Sequence, residues 1–438
     1  MIKKLLIRFL AASARRILAR EKPLIVGITG SYGKSSAKEA IAIALGAMEP
    51  GSLVRSSPKN YNNEFGLPFT ILNVSAPGRD PIKWLSVLGR ACWMGWGFGR
   101  VHVNTFVLEM GADRRGDLKW LVSIARPDIS VVTGVGEAHS QYFGTIDEIA
   151  NEKATLVRAL ARNGFAILNN DDTRVTAMRR DTDAEALYYG FSDGSDIQIL
   201  KTSFAIIEDD AGHLAPVGID VAFACDGQVS ELHLRGTIGR PQALAAASAL
   251  AVARRLEIPL QTALDRLERT YHGIAGRTRI IPGIKGTTII DDTYNAASAK
   301  TVISALHDLM QLGVKGDQRK IAALGEMREL GEYAEIGNQD VGRAVAESGV
   351  DFLVTCGTLA RGIGDAAVAV GFAPENVRHT ENSADAGRFL QEFIKPGDVI
   401  LAKGSQGIRM ERVVKELMAE PNEAPFLLVR MTEDWIGK

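Results

Sequence analysis

The chain has 438 residues, 46% hydrophobic and 24% charged, which is typical of a globular protein with two or three domains. The formal net charge of −1 excludes a global electrostatic case for a nucleic-acid partner, although a local basic patch is still compatible with it. Cys92, Cys225 and Cys356 are far apart and odd in number, so they form neither a metal-ligand spacing nor a disulfide framework. We therefore expect a reducing, cytoplasmic location.

The first 20 residues predict a basic amphipathic helix. Its apolar residues are Ile2, Leu5, Leu6, Phe9 and Ile17, and its cations are Lys3, Lys4, Arg8, Arg15, Arg16 and Arg20. Arg8 interrupts the stretch too much for a signal peptide, and the stretch is too short to span a membrane. Two interpretations remain open. The helix either lies on the inner, anionic face of the membrane, or packs on the next domain with its basic face in solvent.

Residues 27–36 predict a phosphate-binding loop. The sequence Gly-Ile-Thr-Gly-Ser-Tyr-Gly-Lys-Ser-Ser follows a short apolar run and precedes a run with helical periodicity. A loop between strand and helix aims backbone N–H groups at phosphate oxygens. Lys34 would neutralise phosphate charge, and the Ser35 hydroxyl would bind Mg²⁺. Because Ile28 replaces the first glycine of the strict motif, an ordinary strand–helix turn is the alternative interpretation.

From residue 23 onward, apolar strand patterns alternate with helical ones. Strands are predicted at 105–110, 129–133 and 166–168, and helices at 118–125 and 146–160. This alternation predicts an α/β fold with a parallel sheet covered by helices. Ligands of such sheets bind at the carboxyl ends of the strands.

The pattern changes between residues 185 and 237, where alternating apolar residues and Asp-Gly or Ala-Gly pairs predict a small β-rich subdomain. An alanine-rich helix is expected at 242–256. The glycine-rich stretch 273–286 marks a boundary. Beyond it, four strands separated by helical runs predict a second, Rossmann-like α/β domain; they are 287–291, 320–324, 351–356 and 398–402. The predicted domains are therefore 1–22, 23–275 and 276–438.

Three polar residues follow or flank the predicted strands of the first sheet. Glu109 ends a buried strand, as the Mg²⁺-binding acid of a phosphate-loop enzyme does. His139 follows the strand at 129–133, and Lys153 lies on the helix at 146–160. Each has an ordinary structural interpretation: a solvated strand end for Glu109, a structural histidine for His139, and a surface charge for Lys153.

Taken together, these motifs resemble the Mur ligase family, the ATP-dependent amide ligases of peptidoglycan synthesis, and most of all its D-alanyl-D-alanine-adding (MurF-type) branch. The matching stretches are collinear between residues 24 and 412. They are 27–36, 60–68, 108–117, 136–153, 168–172, 290–296, 324–333 and 403–405. The runs Asp-Asp-Thr-Tyr-Asn-Ala at 291–296 and Leu-Gly-Glu-Met-Arg-Glu-Leu-Gly at 324–331 indicate that branch.

The resemblance implies that a substrate carboxylate attacks the γ-phosphate of ATP and that an incoming amine takes the resulting acyl phosphate. The catalytic residues it implies are Lys34, Glu109, His139 and Lys153, the last as a carbamylated lysine. The Mg²⁺ ligands it implies are Ser35, Glu109, His139 and Lys153. The nucleotide contacts it implies are Gly30, Ser31, Gly33, Lys34, Ser35, Ser36, Gln242, Arg277 and Asp291. Acceptor contacts would be Asn60, Asn62 and Asn63, and contacts to the incoming amine would be Tyr294, Asn295, Glu326, Lys403 and Ser405.

Three departures from the family pattern leave alternatives open. Only about 22 residues precede the predicted ATPase domain, whereas the family normally has a separate domain for the uridine nucleotide. Both asparagines of the adenine-contacting stretch are absent at 239–245, and Asn338 replaces a usual histidine. One alternative is therefore a Mur-type ligase acting on another carboxylate, such as a lipid-linked or non-muramyl peptide. Another is a non-catalytic ATP-binding scaffold. The predicted partners are small peptide and amino-acid substrates.

Overall fold

The computed structural model describes residues 2–58, 61–136, 145–296, 298–328 and 334–431. They divide into two compact units. The first unit contains 1–201, 221–232 and 243–271, and the second contains 202–220, 233–242 and 272–438.

The first unit alternates strands and helices as the sequence predicts. Its elements up to residue 201 are α1 (Ile2–Glu21), β1 (Leu24–Thr29), α2 (Lys34–Ala44), β2 (Val54–Ser56), α3 (Gly66–Leu72), α4 (Pro81–Gly95), β3 (Thr105–Glu109), α5 (Asp117–Ile124), β4 (Ile129–Val132), α6 (Ile146–Arg158), β5 (Phe165–Asn169), α7 (Thr173–Ala177) and β6 (Glu185–Gly190). Strands β1, β3, β4 and β5 are buried on both faces and rich in Val, Ile and Leu, as expected for a parallel sheet covered by helices.

Strand β1 lies between β3 and β4 and pairs with both in parallel. Ile28 is opposite Glu109 on one side, and Thr29 is opposite Val132 on the other. The carboxyl ends of the three strands therefore meet at one edge of the sheet, where the predicted phosphate loop begins.

Residues 185–237, predicted as a small β-rich subdomain, consist mainly of strands that continue the sheet of the first unit. They contain β6 followed by three longer strands, β7 (Ile197–Glu208), β8 (Leu214–Cys225) and β9 (Gln228–Arg235). The complete order of this nine-stranded sheet is β2-β3-β1-β4-β5-β6-β7-β8-β9. The alanine-rich helix follows as α8 (Arg240–Arg255), and then α9 (Leu260–Thr270).

The second unit contains a six-stranded sheet with the order β10-β11-β15-β12-β13-β14. Its elements are β10 (Arg279–Pro282), β11 (Thr288–Asp292), α10 (Ala299–Gln311), β12 (Lys320–Gly325), α11 (Ala334–Ser348), β13 (Phe352–Cys356), α12 (Arg361–Ala369), β14 (Val377–Thr380), α13 (Ser383–Phe393), β15 (Val399–Lys403), α14 (Glu411–Leu417) and α15 (Ala424–Leu427). All pairings are parallel except that of β10 with β11.

Two strands of the second sheet differ from the sequence prediction. The stretch 273–286 was predicted only as a boundary, but it contains β10, an edge strand that ends at Pro282. Proline is tolerated there because an edge strand does not need every backbone N–H. Strand β14 is also short and lies at the opposite edge, so its four residues give little periodicity to detect.

Helix α1 settles part of the question about the N-terminus. Leu10, Ala14 and Ile17 are buried, in one apolar cluster with Val87 and Met94 of α4. Of the five apolar residues predicted for one face, Ile17 is buried whereas Ile2 and Leu5 are exposed, so packing accounts for only part of that face. Within the described ranges, no helix has both the length and the apolar composition needed to cross a membrane.

Candidate active site

The predicted phosphate loop connects β1 to the N-terminus of α2, as its mechanism requires. Gly30 has φ 151°, and a Cβ there would lie 2.1 Å from the Thr133 hydroxyl oxygen, so only glycine fits. Gly33, with φ 77°, precedes the first residue of α2. The Lys34 ammonium group folds back and donates to the carbonyl oxygens of Gly30 (2.7 Å) and Ser31 (3.3 Å). The loop, the helix N-terminus and the cation thus form one anion-binding unit.

The residues after β4 form one wall of this loop. The Ser31 backbone N–H donates to the Gly134 carbonyl oxygen (2.7 Å), and the Thr133 hydroxyl donates to the Tyr32 carbonyl oxygen (2.5 Å). Partial burial, followed by the Asp172 carboxylate, raises the pKa of Tyr32 to about 12. Tyr32 therefore stays protonated at neutral pH.

Two residues of the Asn-Asn-Asp-Asp stretch support this wall. The Asn169 side chain donates to the Thr133 carbonyl oxygen (2.8 Å), and the Asp172 carboxylate accepts from the Val135 backbone N–H (2.7 Å). Sequence reasoning matched this stretch to the family without assigning it a role. The structure indicates that it holds the end of β4 against the phosphate loop.

Glu109 is buried at the carboxyl end of β3, with one satisfied and one unsatisfied oxygen. Its Oε1 accepts from the Asn62 side-chain amide (3.0 Å). Its Oε2 has no hydrogen-bond partner within the described part of the chain, and the Lys38 ammonium nitrogen is 4.0 Å away. An unsatisfied carboxylate oxygen in a protein interior is costly, so this oxygen is suited to a cation.

Lys153 is buried on α6, so it is not the solvated surface charge of the alternative interpretation. Burial, and then the positive charge of Lys34, lower its pKa to about 7; Glu152 and two nearby aspartates act in the opposite direction. A substantial fraction of its amine is therefore neutral at neutral pH. Glu152, the preceding residue, accepts from the backbone N–H groups of Gly116 (3.0 Å) and Leu118 (2.9 Å) and so fixes the start of α5.

The acceptor loop is only partly described. Asn62 contacts Glu109 directly, and its carbonyl oxygen accepts from the Gly111 backbone N–H (2.8 Å). The Asn63 side-chain oxygen accepts from Phe65 and Gly66 and so fixes the start of α3. Asn60 and His139 lie outside the described residues, and their predicted roles stay predictions.

A cavity of about 780 Å³ borders Asn62 and Asn63. It is lined by side chains of α1, the 62–64 loop, the 111–117 segment and α5; the charged ones are Lys3, Lys4, Arg8, Glu64, Asp113, Arg114 and Asp117. Asp117 accepts from the backbone N–H groups of Asp113 and Arg114, and Glu64 pairs with Lys3 at 3.4 Å. Glu64 and Asp117 therefore already have partners, whereas Lys4 and Arg8 are exposed.

The donor set fits Mg²⁺. Mg²⁺ in nucleotide sites is held by one or two carboxylates together with substrate phosphates, rather than by an all-protein cage. Glu109 offers one buried, unsatisfied oxygen, and Ser35 offers a half-buried hydroxyl on the first turn of α2. No group of three or more His, Cys, Asp or Glu side chains in the described ranges is arranged to hold a metal.

In the second unit, four of the five residues predicted to contact the amine form one hydrogen-bonded cluster: Asn295, Glu326, Lys403 and Ser405. Strand register places Lys403 opposite both Asp292 and Leu324, at the carboxyl ends of β11, β12 and β15. The buried Lys403 ammonium group donates to the Asp292 carboxylate (2.6 Å) and to the Asn295 carbonyl oxygen (3.1 Å).

Glu326 and Ser405 complete this cluster. The Ser405 backbone N–H donates to the Glu326 carbonyl oxygen (2.8 Å), and its hydroxyl accepts from the Arg328 backbone N–H (2.9 Å). The buried Glu326 carboxylate accepts from the Arg328 side chain (2.6 Å) and the Leu359 backbone N–H (3.2 Å). A charged, preorganised set of groups thus lines the edge of the second sheet.

The three predicted nucleotide contacts outside the phosphate loop are also in the second unit. Arg277 lies over the Tyr294 ring at 4.3 Å, and its buried Nε has no hydrogen-bond partner in the described ranges. The fully buried Asp291 accepts from Gly276 and Thr293, and burial raises its pKa to about 6. The buried Gln242 donates to the Arg277 carbonyl oxygen (3.0 Å). Asp291 and Gln242 thus support the segment that carries Arg277.

Sequence reasoning missed a buried ion cluster beside this segment. Glu411 is fully buried and accepts from the Arg409 and Arg430 side chains. Arg430 also donates to the carbonyl oxygens of Thr293 (2.8 Å) and Tyr294 (3.2 Å). The cluster therefore fixes the backbone that presents the Tyr294 ring to Arg277. No local motif predicts its role, because Arg430 is 137 and 136 residues away from the Thr293 and Tyr294 carbonyl oxygens that it contacts.

Comparison with protein families finds two matches. Residues 94–252 match the Mur ligase middle domain, and residues 276–406 match the Mur ligase glutamate ligase domain.

Two curated relatives are described as UDP-N-acetylmuramoyl-tripeptide–D-alanyl-D-alanine ligase. The protein of Mycobacterium tuberculosis is 30% identical over 90% of this chain and 73% of its own length. The protein of Bacillus subtilis is 27% identical over 91% of this chain and 76% of its own length.

Solved structures agree with this fold. MurF ligase from Thermotoga maritima, in complex with ADP, has a TM-score of 0.73 and 25% identity; the match covers 94% of this chain and 83% of that one. MurF from Acinetobacter baumannii has the same TM-score at 22% identity, covering 92% of this chain and 79% of that one, and supports the fold alone.

Proposed function

This chain belongs to the Mur ligase family, and we propose that it is the ATP-dependent ligase that adds D-alanyl-D-alanine to the peptide carboxylate of a UDP-N-acetylmuramoyl-tripeptide. A carboxylate oxygen attacks the γ-phosphorus of ATP, and ADP leaves. The amine of the dipeptide then attacks the acyl carbon, loses a proton and displaces inorganic phosphate, leaving a new amide bond.

The first unit supplies the phosphoryl-transfer groups. The phosphate loop and the Lys34 ammonium group hold the triphosphate and neutralise charge that builds on the transferring oxygens. Glu109 and Ser35 would hold Mg²⁺, with His139 and Lys153 as further ligands implied by the family. When bound, the ion would supply additional positive charge at the phosphate oxygens.

The lowered pKa of Lys153 suits the carbamylation that the family resemblance implies. A neutral amine can add to CO₂ and release one proton, whereas an ammonium group cannot. Burial and Lys34 provide that neutral amine at neutral pH. The product is an anionic carbamate, which replaces a buried cation with a group that can bind a metal.

The acceptor and the amine are assigned to separate sets of side chains. The cavity beside Asn62 and Asn63 is large enough for an anionic peptide, and Lys4 and Arg8 border it. The incoming dipeptide is assigned to Tyr294, Asn295, Glu326, Lys403 and Ser405, where Asp292 and Arg328 already orient the charged groups of Lys403 and Glu326.

The finer points of location also belong to the proposal. Cys92, Cys225 and Cys356 are all free thiols, which suits a reducing compartment such as the cytoplasm. Contact of residues 1–20 with the inner face of the membrane would have to use the side chains that α1 leaves exposed.

The observation that carries the assignment is the unsatisfied Glu109 oxygen, next to a phosphate loop in a family that uses ATP. The test is a coupled assay of phosphate release with mass spectrometry of the acceptor. We expect one phosphate per ligation, and product only when ATP, Mg²⁺, muramyl-tripeptide and D-alanyl-D-alanine are all present. ATP-bound, folded protein that makes no amide product with this pair would overturn the proposal.

A further inference from the structure

Helix α4 is apolar on two opposite faces. Val87, Ala91 and Met94 on its inner face are buried in the core of the first unit. On the outer face, Ile82, Leu85, Trp93 and Trp96 recur at helical spacing and expose between 56% and 80% of their surface. A helix at the surface of a globular protein normally has a polar outer face. Packing within the unit explains the inner face of α4 but not the outer one.

Neighbouring side chains extend this outer face. The Phe98 ring, 67% exposed, lies 5.1 Å from the Trp93 ring, and the Phe9 ring of α1 lies 6.4 Å from the Trp96 ring. Near its start, α1 also exposes Ile2 and Leu5. We call these seven exposed side chains the α1–α4 surface: Ile2, Leu5, Ile82, Leu85, Trp93, Trp96 and Phe98. An apolar surface with several exposed aromatic rings is characteristic of an interaction site.

The charges on these two segments all have one sign. Residues 2–20 and 81–100 contain no Asp or Glu, and they contain Lys3, Lys4, Arg8, Arg15, Arg16, Arg20, Lys83, Arg90 and Arg100. The Arg16 guanidinium lies over the Trp96 ring at 4.9 Å. Lys4, Arg8, Lys83 and Arg100 are exposed. Glu64 pairs with Lys3 and Glu21 with Arg20, but cations outnumber carboxylates around these aromatic and aliphatic side chains.

We propose that the α1–α4 surface docks on an anionic lipid bilayer, with α4 lying in the plane of the membrane interface. Tryptophan and phenylalanine insert at the boundary between headgroups and acyl chains, while lysine and arginine attract anionic headgroups. Neither helix is built to cross the bilayer, so the contact is peripheral. The same helix α1 borders the cavity beside Asn62, and docking therefore brings that cavity to the lipid surface.

Charge argues against a second copy of the chain as the occupant. A symmetric dimer through this surface would bring together two copies of a surface on which cations outnumber carboxylates. An acidic protein partner would meet the charge requirement. The rim of a protein–protein interface is normally polar, however, so an acidic protein would not need so wide an apolar surface.

The test is flotation of the full chain with phosphatidylcholine vesicles, with and without phosphatidylglycerol. We expect binding only to the anionic vesicles. Leu85→Ser/Trp93→Ser should weaken partitioning at least about tenfold, because both side chains would lose their apolar environment. Lys83→Glu/Arg100→Glu should remove the preference for phosphatidylglycerol. Phe426→Ser is the matched control, since Phe426 is 83% exposed in the second unit and should leave binding unchanged.

Phosphate release with a soluble acceptor should be the same for all of these variants, which shows that they fold and separates docking from the ligase reaction. Absence of vesicle binding by the wild type, or equal binding by Leu85→Ser/Trp93→Ser, would overturn the proposal. So would a dimer detected by light scattering that the Leu85→Ser/Trp93→Ser variant abolishes, because the surface would then belong to a second copy.

Discussion

The Asn62 side-chain amide donates to Oε1 of Glu109 across 3.0 Å, while Oε2 of the same carboxylate is buried without a hydrogen-bond partner in the described part of the chain. The amide thus fixes the orientation of Glu109 and leaves one oxygen available. That oxygen lies at the carboxyl end of β3, next to the strand that leads into the phosphate loop. We interpret this asymmetry as a preorganised cation ligand.

Glu109→Gln should lower phosphate release by at least about 100-fold, because one charged ligand of the cation is lost at the transferring phosphate. The Mg²⁺ concentration for half-maximal activity should rise as well. A Mg²⁺ titration of the coupled assay measures both effects. The control is Glu185→Gln, which should behave as wild type. Glu185 is exposed at the amino end of strand β6, whereas Glu109 is at the carboxyl end of β3. Unchanged Mg²⁺ dependence in Glu109→Gln would exclude Glu109 as a ligand.

Lys403→Met should lower the free energy of unfolding by about 3 kcal/mol, because it leaves the Asp292 carboxylate without its buried partner. Adding Asp292→Asn should restore part of this loss. Urea unfolding of the two single variants and the double variant completes a double-mutant cycle. Strictly additive losses would mean that the 2.6 Å pair contributes no coupling. In the amide assay, we also expect Lys403→Met to raise KM for the dipeptide and to leave KM for ATP unchanged.

The Glu411–Arg430 pair should act as a positioning unit for the Thr293–Tyr294 backbone. Arg430→Met should destabilise the protein by about 3 kcal/mol, since Glu411 loses a partner while fully buried. KM for ATP should rise, because the Tyr294 ring, over which the Arg277 guanidinium lies, is no longer fixed. Glu411→Gln should have the same effects, and the exposed Glu416→Gln should have neither. Destabilisation with an unchanged KM for ATP would mean a structural role only.

Asp308 provides a pH-dependent test of the second unit. Burial, and then the Asp292 charge, raise its pKa to about 7, with Arg240 acting in the opposite direction. The native carboxyl therefore holds its proton more tightly than the unfolded one. As pH rises from about 4 to 7, the Asp308 carboxyl of the unfolded chain loses its proton before the native one does, and the free energy of unfolding therefore falls. Relative to Asp308→Asn, the wild type should become less stable by about 2–4 kcal/mol over that range.

Urea unfolding of both proteins at about pH 4, 5, 6 and 7 measures this difference in the free energy of unfolding. A difference that does not change with pH would mean that Asp308 has an ordinary pKa. A difference that grows in favour of the wild type would mean that a favourable partner, rather than burial, controls this carboxyl.

Much of the first unit could be predicted from sequence, because its signals are local. The phosphate loop, strands β3 and β4 and the helix around Lys153 each occupy one contiguous stretch with its own periodicity or glycine pattern. Helix α4 was not predicted. Its apolar residues lie on opposite faces of the helix, so the amphipathic period is weak. Packing within the first unit explains only the inner face, and the outer face belongs to the α1–α4 surface.

The long-range interactions could not be predicted in the same way. The Lys403–Asp292 contact follows once β11 and β15 are known to be neighbours, but sequence patterns do not give strand order. The Glu411 cluster depends on a side chain at 430 reaching carbonyl oxygens at 293 and 294. The lowered pKa of Lys153 likewise depends on burial and on Lys34, which is more than 100 residues away in the sequence.

The most direct test of the central claim follows an oxygen atom. With ¹⁸O in both oxygens of the acceptor carboxylate, an acyl phosphate route transfers one labelled oxygen from the peptide to the released phosphate. We predict one ¹⁸O per phosphate, measured by mass spectrometry in step with formation of the D-alanyl-D-alanine amide. Amide formation with fully unlabelled phosphate would contradict the account, because the carboxylate would then not have attacked the γ-phosphorus.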